Sequence, residues 1–209
     1  MKYQIICDSC GDFTPEMKAD PHFRMVPLSL EIGEYRIMDD ETFDQADFIK
    51  RMAASSIGAK TACPSPEAFQ KAIEESDADE VYIVTLSDQL SGTYQAAKIG
   101  IDLYTESHED SPKKIHLFNS KSASAGECKL CLDIRECKEA GLGFVEVVDI
   151  IEKKCNDIET VFVLESLETL RKNGRLSAVK SFLASALNIK PVMGAVNGTI
   201  VKLDQQRGI

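Results

Sequence analysis

Residues 81–101 read VYIVTLSDQLSGTYQAAKIGI. The first six, VYIVTL, are nearly all apolar or β-branched and lead straight into the polar turn SDQ. A run of that length without polar alternation suits a strand buried on both faces of a parallel sheet. Beyond the turn, Leu90, Tyr94, Ala97 and Ile101 stand four, three and four positions apart, on one face of a helix. Strand, loop and helix in that order form the repeating unit of parallel α/β sheets.

Three further runs share the strand texture: YQIIC at 3–7, KIHLF at 114–118 and TVFVL at 160–164. Helical patterns lie between them. PEAFQKAIEES opens on Pro66, which suits a first helical position, and carries Phe69 and Ile73 four apart. Residues 144–156 hold Val147, Val148, Ile150 and Ile151. The alternation predicts an open, doubly wound parallel α/β domain. VPLSLEIGEYRI, at 26–37, interrupts it. Apolar and polar residues alternate about Gly33-Glu34, so a hairpin or an edge strand is predicted there.

After Leu164 the texture changes. Residues 167–172 and 177–187 read as short helices, and KPVMGAV and GTIVKL flank Asn197-Gly198, a strong hairpin signal. A boundary near 160 follows, with an α/β domain at 1–160 and a smaller, partial α+β domain at 161–209. About 50 residues make a thin core. The second domain is therefore expected to pack hard on the first or to be incomplete at its C-terminal end.

The chain of 209 residues carries 24 Lys and Arg against 34 Asp and Glu, a net charge of −10. That excludes a nucleic-acid binder, for no basic stripe is present to neutralise phosphates. No apolar run approaches the ~20 residues of a bilayer span, so no stable membrane insertion is expected. The opening MKYQIICDSCGD turns acidic too early for a signal peptide. A cytoplasmic, monomeric protein is the expectation, and its seven cysteines read as reduced thiols.

Several constellations bear on chemistry. Cys7-Asp8-Ser9-Cys10 and Cys128-Lys129-Leu130-Cys131 are both C-x-x-C. Such pairs serve thiol redox or four-thiolate metal sites. Here they lie more than a hundred positions apart in sequence, and neither sits in a knuckle-like turn. Cysteines replacing small core or loop residues are the simpler account. A small hydrolase or transferase would use Ser91, or the S-x-x-K of Ser177 and Lys180. There is no G-x-S-x-G and no P-loop, and GLGFVE at 141–146 lacks a third glycine. His116 falls inside a strand run and His108 in an acidic loop.

Ser91, Gly92 and Thr93 stand out. They fall at the first turn of the helix after the strand at 81–86, where free backbone N–H groups and the positive dipole end meet. Gly92 admits an anion close to the backbone, and Ser91 and Thr93 add hydroxyls. Open α/β sheets bind ligands at this end of their strands. TACPSP, with Thr61, Cys63 and Ser65, places small polar residues before the helix at Pro66. Arg171, Lys172 and Arg175 surround Asn173-Gly174, a cationic cluster in an acidic chain. Simple capping accounts for each of these segments taken alone.

Taken together and in order, these segments resemble the DegV family of fatty-acid-binding proteins over the whole chain. CDSCGDFT is similar to its opening strand and loop, with Asp8, Ser9 and Asp12; TACPSP to its T-S-Q-P-S; and LSGTYQAA matches almost letter for letter. NSKSASAGE resembles D-S-x-x-x-S-x-G with Asn119 for Asp, and LRKNGRLS with LNIKPVM resembles L-K-x-G-R-I-S and L-N-I-K-P. The resemblance implies a two-domain protein that encloses one long-chain fatty acid between its domains and needs no cofactor. It implies a bacterial carrier, not an enzyme, that presents the carboxylate to a fatty acid kinase for phospholipid synthesis. The carboxylate would lie near Thr61 and Ser91 with Gly92 and Thr93 behind it. Arg171, Arg175 and Arg207 would lie toward the ligand head or the kinase. Family members usually continue for several dozen residues with a Gly- and His-containing loop, so an incomplete second domain is expected here.

Overall fold

The computed structural model describes residues 1–164 and 189–207. In chain order, β1 (Tyr3–Asp8), α1 (Pro15–Ala19) and β2 (Phe23–Val26) come first. β3 (Ser29–Ile32), β4 (Tyr35–Met38), α2 (Gln45–Ala54) and β5 (Lys60–Ala62) follow. Next are α3 (Pro66–Glu74), β6 (Glu80–Thr85), α4 (Thr93–Ser107), β7 (Lys114–Asn119), α5 (Ala125–Glu139) and α6 (Phe144–Asp157). The remaining strands are β8 (Val161–Val163), β9 (Ile189–Val196) and β10 (Thr199–Arg207).

β2, β1, β6 and β7 form one sheet in that order, every pair parallel. Parallel neighbours need crossovers, and the helices of those crossovers cover the sheet's faces. Successive side chains of a strand point to opposite faces. Ile6, Val81 and Ile83 therefore pack with Phe69, Ile73 and Ala97 of α3 and α4. Ile5, Cys7, Tyr82, Val84 and Phe118 pack with Leu130, Ile134, Val147 and Ile151 of α5 and α6. Covering on both sides makes β6 fully buried along its length. Pro66 opens α3, and the Ser65 hydroxyl accepts from the N–H of Ala68 at 3.3 Å, a side-chain N-cap. α3 and α4 approach backbone to backbone: a Cβ on Gly100 would sit 2.5 Å from the carbonyl oxygen of Pro66.

β4, β3 and β5 form a small antiparallel sheet, and Gly33-Glu34 is the hairpin turn as predicted. β10, β9 and β8 form another. Its turn at Asn197-Gly198 takes φ of 49° and 78°, the two positive values of a type I′ hairpin.

The run at 160–164 is not a fourth buried parallel strand. β8 pairs antiparallel with β9, and Val161 and Val163 are 61% and 49% exposed. The helix count explains this. One helix returns the chain to the amino end of the sheet, where a parallel strand can begin. Two helices bring it back to the carboxyl end. Lys138 near the end of α5 bonds Glu80 at the start of β6, whereas Asn156 near the end of α6 accepts from Lys121 beyond β7. Leu90 also falls outside the helix, which begins at Thr93. The helices expected at 167–172 and 177–187 lie outside the described residues. Among the described residues, no helix is long and apolar enough to cross a membrane.

Candidate ligand-binding site

The carboxyl ends of β1, β6 and β7 meet at one edge of the parallel sheet. Asp8, the last residue of β1, is fully buried there. Its carboxylate accepts from the N–H of Leu86 at 2.9 Å and from that of Cys10 at 3.0 Å. It thereby ties the loop after β6 to the turn after β1. Burial pushes the Asp8 carboxyl up to about 6, against the opposing pull of those two N–H groups. The Ser9 hydroxyl accepts from the N–H of Leu28 at 3.0 Å and so fixes the chain entering β3.

That loop then enters α4 through Ser91 and Gly92. The hydroxyls of Ser91 and Thr93 lie 2.8 Å apart, and the N–H of Thr93 donates to Ser91 Oγ at 3.3 Å. Thr93 is fully buried, while Ser91 is half-buried and Gly92 exposed. Either hydroxyl of the Ser91–Thr93 pair can donate to the other, and Ser91 Oγ also accepts from the Thr93 N–H. Gly92 caps α4 without a side-chain bond, which leaves first-turn N–H groups facing the same space. This arrangement suits an anion.

Cys63 adjoins this helix start: its sulfur lies 3.5 Å from where a Cβ on Gly92 would be. Thr61, two residues earlier, is exposed on β5 opposite Leu30 of β3. The antiparallel sheet thus delivers the 61–66 segment to the α4 N-terminus, as the sequence grouping requires. Arg171 and Arg175 lie outside the described residues, as does the Ser177–Lys180 pair. Arg207 is placed by its backbone alone, opposite Ile189 at the end of β10. Among the described residues, no imidazole or carboxylate hydrogen-bonds Ser91 Oγ.

Sequence reasoning missed the polar seam beside this site. Ser87 Oγ donates to the carbonyl of Gly198 at 2.8 Å, and the Ser122 and Thr160 hydroxyls lie 2.7 Å apart. These bonds connect the parallel sheet's carboxyl edge to the β8–β10 sheet. Small polar residues after strands were the available signal, and loops carry many such residues. A separate cavity of about 700 Å³ opens between α1 and the stretch after β4. Asp12, Lys18, Asp39 and Phe43 are among its lining residues, and none of Thr61, Ser91, Gly92 or Thr93 reaches it.

Comparison with known proteins decides the lineage. The DegV family model matches residues 2–209. The chain belongs to the DegV family. A DegV domain-containing protein of Streptococcus pneumoniae is 33% identical over 212 residues, which cover 100% of this chain and 74% of the relative. A DegV family crystal structure from Ruminococcus gnavus, refined with vaccenic acid, is 47% identical with a TM-score of 0.93. It covers 99% of this chain and 73% of its own. The fatty acid kinase B3 protein of S. pneumoniae, loaded with linoleic acid, is 32% identical with a TM-score of 0.88. That match spans 100% of this chain and 74% of the other. The mixed architecture of a parallel core with smaller antiparallel sheets is therefore the DegV fold.

Proposed function

We propose that this DegV protein binds one long-chain fatty acid and presents its carboxylate to a fatty acid kinase. The observation that carries the reading is the start of α4, where the half-buried Ser91 hydroxyl stands at a helix N-terminus whose N-cap, Gly92, supplies no side-chain bond. The DegV structures holding vaccenic and linoleic acids supply the ligand class. The kinase named with the pneumococcal protein supplies the partner.

In this reading the carboxylate accepts from Ser91 Oγ and from the α4 N-terminus, with Thr61 on the facing segment. Thr93 positions Ser91 from behind. The helix dipole favours the ionised head group. The acyl chain runs between two domains, 1–160 and 161–209, and gains about 0.8 kcal/mol per buried methylene before ordering costs are subtracted. Arg171, Arg175 and Arg207 are assigned to the head-group or kinase-facing side. The protein is a cytoplasmic monomer that carries its ligand and does not turn it over.

Native mass spectrometry of the purified protein, followed by identification of any released molecule, tests this directly. One fatty acid per chain is the expected result. Ser91→Ala is expected to weaken binding by about 1–3 kcal/mol, the penalty for an unmatched polar partner. Equal affinity in wild type and variant would remove Ser91 from the site. Failure of the purified chain to bind any fatty acid in titration would overturn the carrier reading.

A further inference from the structure

Seven free cysteines are unevenly placed: Cys7, Cys128, Cys131, Cys137 and Cys155 all lie in or against the core on the α5 and α6 face of the parallel sheet. Cys7 stands on β1 and Cys10 one turn beyond it. Cys128 and Cys131 stand on α5. The two C-x-x-C motifs, far apart in sequence, are thus brought face to face by the packing of α5 on β1. The Cys7 thiol donates to Glu127 Oε2 at 3.7 Å. Glu127 is fully buried, as is Asp8. One donor atom from each of Asp8, Cys10 and Glu127 lies within 4.8 Å of the other two.

We propose that Asp8, Cys10 and Glu127 form a three-donor binding site for a borderline-soft divalent cation of the zinc type, with a water as fourth donor.

Three features point to a cation. The first is spacing. Metal–sulfur bonds of ~2.3 Å and metal–oxygen bonds of ~2.0–2.2 Å put tetrahedral donors ~3.5 Å apart. The donor atoms of Asp8, Cys10 and Glu127 all lie within 4.8 Å of one another, close to that value. The second is charge. Two carboxyl groups are wholly buried side by side, and no Lys or Arg forms an ion pair with either among the described residues. The nearest buried acid on the same helix, Asp133, is by contrast paired with Lys129 and Lys154. The third is donor type. Mixed thiolate and carboxylate donors favour zinc-like ions over magnesium or calcium, which take oxygen alone.

The groups that surround the cluster are fixed in place. The N–H of Ser124 donates to Glu127 Oε1 at 3.1 Å, and Leu86 and Cys10 N–H groups hold Asp8. Such outer bonds orient ligands. Burial first, and then the neighbouring negative groups, push the Cys10 thiol and the Glu127 carboxyl up from their ordinary values. Binding therefore exchanges protons for the metal: each thiol or carboxyl that becomes a ligand releases its proton to solvent. Asp39, half-buried, is a further acid near Asp8 and adds to the local negative potential.

The test uses Co²⁺ as the probe, supplied to the metal-stripped chain and, separately, to cells expressing it. One cobalt per chain is expected, with a thiolate-to-cobalt charge-transfer band in the near ultraviolet and the visible bands of four-coordinate cobalt. Cys10→Ser and Glu127→Gln should each weaken binding by about tenfold or more, and Cys10→Ser should reduce the charge-transfer band. Glu127→Gln keeps an acceptor for Ser124 and serves as the fold-preserving variant, checked by its thermal melt. Cys63→Ser, exposed and off the cluster, should change nothing. The proposal is overturned by cobalt uptake without a charge-transfer band, by unchanged affinity in folded Glu127→Gln, or by a folded chain that takes up no stoichiometric cobalt by either route.

Discussion

The two faces of the parallel sheet are built from the same strands and could hardly be more different in content. Against α3 and α4, the sheet presents Ile6, Val81 and Ile83 to Phe69, Ile73 and Ala97, a face of hydrocarbon. Against α5 and α6 it presents Cys7 and Tyr82 to a helix that carries buried Glu127, Cys131 and Asp133. Each polar group there is given a partner. The Tyr82 hydroxyl donates to Glu80 at 3.0 Å, and Lys138 reaches the same carboxylate at 2.7 Å. One face stabilises the domain mainly through apolar burial, with Tyr104 and its Ser111 partner at its margin, while the other combines burial with several satisfied polar groups. A buried polar group costs stability unless it is bonded. The second face is therefore the one whose stability depends on solution conditions.

Three measurements would break or sharpen that contrast. Phe69→Ala removes a fully buried ring from the hydrocarbon face and is expected to cost about 3–5 kcal/mol in urea unfolding. The loss should be the same at every pH between 4 and 7. A pH-dependent loss would mean that the two faces are electrostatically coupled.

The second concerns Asp8 in metal-free protein. Its folded-state carboxyl is raised to about 6, above its ordinary value of 3.8. The folded chain therefore holds this proton more tightly than the unfolded chain does. Its contribution is fully present below about pH 4 and is lost as pH rises through 6. Relative to Asp8→Asn, wild type should lose about 2–3 kcal/mol between pH 4 and pH 7. A parallel pair of stability curves would show that water reaches the carboxylate.

The third is Gly100→Ala. The added methyl group meets the Pro66 carbonyl at 2.5 Å and the Phe69 Cβ at 2.8 Å, so α3 and α4 must separate. A destabilisation of about 1–3 kcal/mol is expected. A neutral result would show that the hydrocarbon face can slide, which a well-packed interior does not do.

The same contrast explains what could be read from sequence. β1, β6 and β7 were legible because covering on both sides demands uninterrupted apolar runs. α3 was legible from Pro66, Phe69 and Ile73. β5 was not, since all of Lys60, Thr61 and Ala62 are exposed and leave no apolar trace. α2 was not read from the sequence, and it buries none of its residues. The α4 start was legible because strand, loop and helix are contiguous and the site is local. Glu127 was hidden for a different reason. Ser124-x-x-Glu127 reads as a capping box on a surface helix, and only the packing of α5 on β1 shows that this glutamate is buried beside Asp8.

The bond between Ser87 and Gly198 joins positions 111 residues apart. Closing so long a loop carries an entropic penalty that nearby contacts do not. A ribosome releases Ser87 well before the hairpin exists, at a time when β1 and β6 can already pair. The seam at Ser87 and at Ser122–Thr160 is thus a late event in the life of each molecule. Until it forms, that seam of the sheet's carboxyl edge is unmade, and the earliest moment at which it can close is set by chain chronology.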